Sequence, residues 1–157
     1  MENIFTGDTT VIFFELALAA LLGMALGIER SVANKRAGLR TYALVSMGSC
    51  LFIAIALATT SAVSEIAKSV DPFRIASAVV SGVGFIGAGM IIFRAGDLKG
   101  LTTAAGVWVA AGIGMAVGFG MYAVAIFVTL ITLAIFTIFW SVETKIKKVT
   151  HNDEKEG

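Results

Sequence analysis

Five long apolar stretches constrain the fold of this chain more than any other feature of its sequence. The length of each is close to that of a helix that crosses the hydrocarbon core of a bilayer, about 20 residues. With 57% hydrophobic and 15% charged residues, the chain is also far more apolar than a soluble domain. We therefore predict an all-α, polytopic integral membrane protein with five transmembrane helices in the lipid bilayer. The stretches cover residues 10–28, 41–60, 75–93, 102–119 and 121–140.

The basic residues lie in alternate connections, and this pattern predicts the orientation. Short cytoplasmic loops carry an excess of Lys and Arg. With the amino terminus outside, five helices place ten of the twelve basic residues inside and leave only Lys68 and Arg74 outside. This count needs a tight turn between the fourth and fifth stretches, which Gly118-Phe119-Gly120 provides. We predict the amino terminus outside and the carboxyl terminus in the cytoplasm.

The segments outside the apolar stretches are short. Residues 1–149 are predicted to form one transmembrane domain, and the polar residues 150–157 a cytoplasmic tail. The segment 61–70 has apolar residues at spacings of three, four and seven, which favours a short helix on the outer membrane surface. No Lys or Arg precedes the first stretch, so it lacks the basic start of a signal peptide, and we expect it to be retained.

Glycines recur inside the apolar stretches. Gly82-x-Gly84-x-x-Gly87 matches a dinucleotide-binding pattern, but no strand precedes it, so a cofactor loop is rejected. In an apolar helix, small residues instead let a neighbouring helix approach closely. The alternative is an ion path lined by backbone carbonyls, which lose their hydrogen bonds within the helix where glycine distorts it. We favour helix packing, and the residues concerned are Gly23, Gly27, Gly82, Gly84, Gly87, Gly89, Gly114 and Gly118.

Acidic residues near the membrane are the candidate polar network. Glu15 lies inside the first stretch, where an ionisable group is a functional candidate by default, although a snorkelled acid near the surface is an alternative. Glu29 lies about 21 Å further along the helix on nearly the same face. Asp71, followed by Pro72, is predicted to cap the third helix. Arg74 follows in the first turn, where the helix dipole disfavours a cation, so we expect a lipid headgroup or a carboxylate such as Glu15 beside it.

The inner connections predict a basic cytoplasmic rim. Contact with anionic lipid explains such a cluster, and an anion site or a docking surface is the alternative. Thr102 and Thr103 are predicted to cap the fourth helix. The rim residues are Arg30, Arg36, Arg40, Arg94, Asp97 and Lys99.

Several kinds of chemistry are excluded by the residue counts. The chain has one cysteine, Cys50, which excludes an intrachain disulfide and a cysteine-based zinc site. Its one histidine, His151, lies in the predicted tail, so no Ser-His-Asp or Cys-His set exists. We expect no enzymatic activity, no cofactor and no nucleic-acid partner, and we assign no metal site.

Five ordered blocks of sequence carry a resemblance to a known family. With them, the chain resembles the membrane domain of the MgtC/SapB family over nearly all of residues 15–140. The blocks are Gly27-x-Glu29-Arg30, Ala37-Gly38-Leu39-Arg40-Thr41, Arg74-Ile75-Ala76, Ser81-Gly82-Val83-Gly84-Phe85-Ile86-Gly87-Ala88-Gly89 and Gly100-Leu101-x-Thr103-Ala104-Ala105-x-x-Trp108.

The resemblance implies a protein of the prokaryotic cytoplasmic membrane that is associated with growth at low magnesium and with survival inside hosts. It also implies action by modulation of membrane partners, including ATP-driven transporters or the ATP synthase, rather than by carrying magnesium. Many members continue into a soluble carboxyl-terminal domain, whereas about fifteen residues follow the last predicted span here. Regulation that relies on that domain is therefore not carried over to this chain.

Three hypotheses for the function follow. The leading one is a non-enzymatic membrane module that associates with itself and with a larger membrane ATPase or transporter through its glycine-rich helix faces. The second is an oligomer that conducts or transports magnesium or protons along Glu15, Asp71 and Glu29. The third is a lipid or anion sensor built on the basic rim.

Overall fold

The protein is a bundle of five helices with one short hairpin. The computed structural model describes residues 8–62, 71–94 and 97–153. All five helices are long and apolar enough to cross a membrane, which confirms the predicted fold class, while the orientation stays a prediction. The elements in chain order are α1 (Asp8–Val32), α2 (Leu39–Ala62), α3 (Pro72–Met90), β1 (Ile92–Arg94), β2 (Asp97–Lys99), α4 (Leu101–Gly118) and α5 (Tyr122–Asp153).

The start of α3 is capped as the sequence predicts. The Asp71 carboxylate accepts a hydrogen bond from the Phe73 amide at 2.9 Å, and Pro72 occupies the first turn. Both features satisfy or remove amide donors that have no partner inside a helix. The cap fixes where α3 begins. Residues 63–70, which make up most of the surface helix predicted for 61–70, lie outside the described residues.

The start of α4 differs from the prediction. Thr102 and Thr103 do not cap this helix, because it already begins at Leu101 and Gly100 takes the N-cap position. Gly100 has a φ of 94°, and a Cβ there would collide with the carbonyl oxygen of Met90. The sharp turn from the hairpin into α4 therefore requires glycine, which has no side chain to serve as a cap.

The third predicted span was too long at its end. α3 stops at Met90, and the chain then forms the antiparallel pair β1 and β2, with Ile92 opposite Lys99 and Phe93 opposite Leu98. A β-branched and an aromatic residue at these positions suit a strand better than a helix end. The hairpin closes the connection between α3 and α4.

The two ends of α5 follow from where glycine and proline occur in the sequence. The predicted turn before it is confirmed, with Gly120 at a φ of 73° and its amide bonded to the Val117 carbonyl at 2.8 Å. Neither glycine nor proline occurs between residues 121 and 156, so nothing stops the helix at the end of the apolar stretch. α5 has 32 residues and continues through the first four residues of the predicted tail. Residues 154–157 lie outside the described residues.

The centre of the bundle is α4 and its periphery is α3. Ten of the eighteen residues of α4 are buried, and the helix packs against all four others. Of the α3 side chains that the structure describes, only Val83 and Gly87 are buried. Most of the surface of α3 is therefore left to surrounding lipid or to another protein.

Close backbone contacts hold α1, α2 and α4 together. A Cβ on Gly23 would lie 2.5 Å from the Tyr42 carbonyl oxygen, and one on Gly27 would lie 2.5 Å from Leu39 Cα. A Cβ on Gly114 would collide with the carbonyl oxygen of Ser46. Helices in lipid associate through such close packing, because burial of apolar surface gives little drive there.

We predict that Gly114→Ala destabilises the protein by about 1–3 kcal/mol, because the added methyl group meets rigid backbone. The matched control is Gly112→Ala on the same helix, where a Cβ would meet nothing within 4 Å. Unfolding of both variants in mild detergent, followed by circular dichroism, measures the difference. Equal stability of the two variants would contradict this account of the α2–α4 contact.

Candidate functional site

The two charged side chains that are buried inside the described bundle, Glu15 and Arg30, lie near its two ends. The Glu15 end is defined by Glu15, the α4–α5 turn at residues 119–120 and the start of α3, where the Phe73 ring stacks on Phe119 with centroids 6.1 Å apart. The Arg30 end is defined by Arg30 near the carboxyl end of α1, the hairpin and the start of α4. The predicted orientation places the Glu15 end outside and the Arg30 end in the cytoplasm.

Glu15 is a buried acid with one described partner. Its side chain is 8% exposed, and its Oε1 accepts a hydrogen bond from the Tyr122 hydroxyl at 2.8 Å. The Phe14 ring meets the Tyr122 ring edge-on with centroids 6.1 Å apart, which holds the tyrosine in place. Such burial fits the polar-network interpretation better than an acid that snorkels to the surface.

A cavity of about 410 Å³ adjoins Glu15. Its walls come from α1, from the end of α2 and from the α4–α5 turn, with Val11, Ala54, Leu57 and Phe119 among the apolar residues. Glu15 is the only ionisable side chain among its lining residues. The acid therefore has room beside it for a small polar guest or for water.

Asp71 and Arg74 do not join Glu15. Both side chains are exposed at the start of α3, and among the described residues no carboxylate forms an ion pair with Arg74. α3 packs mainly against α4 and α2, away from the α1 face that carries Glu15. Glu29 lies near the opposite end of α1, so the four predicted network residues are not brought together.

Arg30 departs most from its predicted place. We expected it in an exposed inner loop, but α1 continues to Val32 and the Arg30 side chain is only 3% exposed. Its guanidinium lies over the Phe136 ring, 3.7 Å from the centroid, and its Nε contacts the Glu29 carboxylate. A neighbouring acid and an aromatic face are the partners that a desolvated arginine needs.

Tyr42 links Arg30 and Phe136 to the core. Its side chain is fully buried, and its hydroxyl donates to the Thr103 carbonyl at 3.3 Å. A Cβ on Gly106 would collide with the Tyr42 hydroxyl and would lie 2.7 Å from Phe136 Cζ. The missing side chain at Gly106 thus makes room for both rings. We call Glu29, Arg30, Tyr42, Thr103, Gly106 and Phe136 the Arg30 cluster.

Sequence reasoning missed Tyr42, Gly106, Tyr122 and Phe136 as site residues. Tyr42 and Tyr122 are the only two tyrosines of the chain, and both lie in apolar stretches. A tyrosine in lipid or in a core needs a partner for its hydroxyl, and this signal could have found both. Phe136 is one of eleven phenylalanines, and nothing in the sequence sets it apart.

The middle of the bundle has no buried charged side chain among the described residues, and its buried polar groups are hydroxyls. Those of Ser49, Thr129 and Thr132 donate to carbonyls of their own helices. Between the Glu15 end and the Arg30 cluster, α1 presents Ala19, Gly23 and Leu26 to the interior, all of them buried. Ser46 is buried beside Gly23 and Gly114, and its hydroxyl has no hydrogen-bond partner in the part of the chain that the structure describes. No chain of polar contacts therefore joins the two ends among the described residues.

The other predicted rim residues differ from Arg30 in their exposure. Arg36, Arg40 and Lys99 are exposed, and the backbones of Arg94 and Asp97 lie opposite each other in the hairpin. Within residues 8–62, 71–94 and 97–153, no three His, Cys, Asp or Glu side chains lie close enough together to hold a metal ion. The rim thus combines exposed cations with one buried arginine.

The predicted packing glycines fall into two groups. Gly23, Gly27, Gly114 and Gly118 face neighbouring helices at close range, and Gly118 would place a Cβ 2.9 Å from the Cys50 carbonyl oxygen. On α3, a Cβ on Gly87 would lie 3.7 Å from that of Ala104, an ordinary contact. A Cβ on Gly82, Gly84 or Gly89 would meet nothing within 4 Å. Most of the α3 glycines therefore make no close helix contact within the described chain.

We predict that Glu15 and Tyr122 are energetically coupled. Tyr122→Phe leaves a buried acceptor without its donor and is expected to cost about 1–3 kcal/mol. In a double-mutant cycle with Glu15→Leu, the coupling should be at least about 1 kcal/mol, measured by unfolding in detergent. The control cycle pairs Glu15→Leu with Tyr42→Phe, whose hydroxyl bonds elsewhere, and should be additive. Additivity in both cycles would show that the hydrogen bond contributes nothing.

Comparison with known proteins identifies the family. The model of the MgtC family matches residues 16–145, which include all of α2, α3 and α4. YhiD of Escherichia coli (strain K12), which is named as a magnesium transporter, is 45% identical over 132 residues, or 83% of this chain and 61% of YhiD. No solved structure matches the chain.

Other relatives match in the same region. SrpB of Synechococcus elongatus is 36% identical over 146 residues, covering 83% of this chain and 77% of SrpB. Protein MgtC of Salmonella typhimurium (strain LT2) is 42% identical over 93 residues, covering 59% of this chain and 37% of that protein. The chain thus spans about three fifths of YhiD and less than half of MgtC. It belongs to the MgtC family of multi-pass membrane proteins.

Proposed function

We propose that this chain is a non-enzymatic module of the prokaryotic cytoplasmic membrane that binds a larger membrane protein and modulates it during adaptation to low magnesium or host stress. Family membership and the magnesium-related name of YhiD support the physiological setting. The proposed partner is a membrane ATPase or transporter, and the module also associates with itself. The cytoplasmic side is the Arg30 end, as the distribution of Lys and Arg predicts.

The observation that carries the proposal is the uncovered face of α3. Gly82 and Gly89 are seven residues apart, so they lie on one side of the helix, and both are open and exposed. Glycines on a membrane helix let another backbone approach closely, which stabilises helix pairs. Inside this chain that capacity is used at α1, α2 and α4 but not at Gly82 and Gly89. A helix of another protein is the occupant that such a surface suits.

The interior supports modulation more than transport by a single chain. Glu15 and Arg30 are separated by about 22 Å of helix, at about 1.5 Å per residue. The buried residues between them on α1 are apolar or glycine, and the backbones there are in close contact. A cation would find no charged side chain along that path, and the Ser46 hydroxyl alone cannot replace its hydration.

We predict that Gly82→Leu combined with Gly89→Leu reduces recovery of the membrane partner several-fold, because the side chains fill the open face. Copurification from native membranes in mild detergent, with quantitative mass spectrometry, measures the recovery. The matched control combines Ala105→Leu with Ala123→Leu, which are exposed positions on α4 and α5. Equal recovery from the two double variants, both folded, would refute the role of the α3 face.

A second candidate function is cation passage through an oligomer. Its support is the burial of Glu15 beside a cavity of about 410 Å³, together with the name of YhiD. A path would then have to form between copies of the chain, with Glu15 near its outer mouth.

Reconstitution into liposomes separates the two candidates. Under the leading proposal we predict no magnesium or proton flux above that of empty liposomes, because the single-chain interior has no polar route. Entrapped magnesium-sensitive and pH-sensitive dyes measure the flux. A flux that is present in the wild type and lost in Glu15→Gln would select the cation pathway instead.

A further inference from the structure

A second cavity, of about 430 Å³, lies at the Arg30 end and has a different character from the one beside Glu15. Its walls come from the end of α1, the residues that open α4 and the apolar side chains Ile135, Phe136 and Phe139 of α5. Two of its lining residues, Arg30 and Lys35, are cations. None of the described lining residues is an acid.

Arg30 has donors to spare in this cavity. A guanidinium carries five N–H donors, and Arg30 directs its Nε to Glu29 and one flat face to Phe136. No described residue accepts a hydrogen bond from its two terminal nitrogens. Glu29 and Phe136 compensate part of the desolvation of this guanidinium, whose side chain is 97% buried. Since Arg30 also lines the cavity, an acceptor bound there is able to use the remaining donors.

The start of α4 adds further donors to the same cavity. The first amides of a helix have no partner within it, and the N-cap residue here, Gly100, offers no side chain to accept from them. The amino-terminal end of the helix dipole is positive, which also favours an anion. Thr102 lines the cavity with an exposed hydroxyl-bearing side chain. A buried arginine, a lysine and an uncapped helix start thus converge on one space.

We propose that this cavity binds a phosphate group, held by the terminal nitrogens of Arg30, the ammonium of Lys35 and the first amides of α4. A phosphate has several acceptor oxygens that match the planar fork of a guanidinium, and it suits a helix start. Its source is either free phosphate or the headgroup of an anionic lipid, because the apolar residues of α5 border the cavity as well. This site is separate from the partner-binding face of α3, and either assignment can fail without the other.

Thermal unfolding of the purified full chain in mild detergent tests the site. Inorganic phosphate, titrated against sodium chloride at equal ionic strength, should raise the unfolding temperature in a saturable way. Lys35→Gln should weaken apparent phosphate affinity about three- to fivefold, as expected for an exposed cation. Arg36→Gln is the matched control, since it removes an equal charge from the adjacent residue, which does not line the cavity. It should leave the affinity unchanged.

Substitution of the buried Arg30 is expected to destabilise the fold, so a variant at the start of α4 tests the site instead. Thr102→Glu places a carboxylate in the first turn of α4, where the dipole tolerates or favours it, so the protein stays folded. The new acid occupies the donors, and phosphate affinity should fall at least about tenfold. Thr102→Gln, with the same size and no charge, is its control. The unfolding temperature without phosphate verifies the fold of each variant.

The source of the phosphate is decided in lipid nanodiscs. If phosphatidylglycerol in phosphatidylcholine discs stabilises the wild type but not Thr102→Glu, while inorganic phosphate has no effect, the ligand is a lipid headgroup. If inorganic phosphate alone gives the variant-dependent shift, the ligand is a free phosphate. If neither probe stabilises the wild type, or if Lys35→Gln and Thr102→Glu behave as their controls do, the site does not exist.

Discussion

The fold depends on how closely the backbones of α1, α2 and α4 approach one another. In lipid, apolar side chains gain little by leaving their surroundings, so the helices must be held by close contact and by a few polar bonds. Gly23 and Gly114 lie on either side of α2 near Ser46, and each would collide with that helix if it carried a methyl group. The positions of Glu15 and Arg30, which lie on α1, follow from this contact.

Much of the fold was predictable because lipid imposes simple rules on a chain. The five spans, the turn at Gly120 and the cap at Asp71 each depend on residues that are adjacent in sequence, and the structure confirms them. The start of α4 was misassigned because the hairpin dictates a left-handed Gly100 there, and a pairing between strands is not a local signal. The orientation rests on the basic residues alone.

The candidate site was less predictable, because its contacts join residues far apart in the sequence. Glu15 was recognised from its depth, but its partner Tyr122 is 107 positions away. Arg30 was assigned to an exposed rim, since only the packing of α5 reveals the Phe136 ring beside it. Gly106 resembled any other small residue of an apolar helix, and its importance appears only when two aromatic rings are seen to occupy the space beside it.

The length of α5 has a mechanical consequence. At about 1.5 Å per residue its 32 residues measure about 48 Å, whereas the hydrocarbon core is only about 30 Å thick. About 18 Å of rigid rod therefore projects past the hydrocarbon at the Arg30 end. A tilt of about 20°, ordinary for membrane helices, moves the tip of that rod sideways by about 6 Å. A small change in the tilt of α5 within the membrane thus produces a larger sideways displacement of Lys147 and its neighbours, which lie outside the membrane.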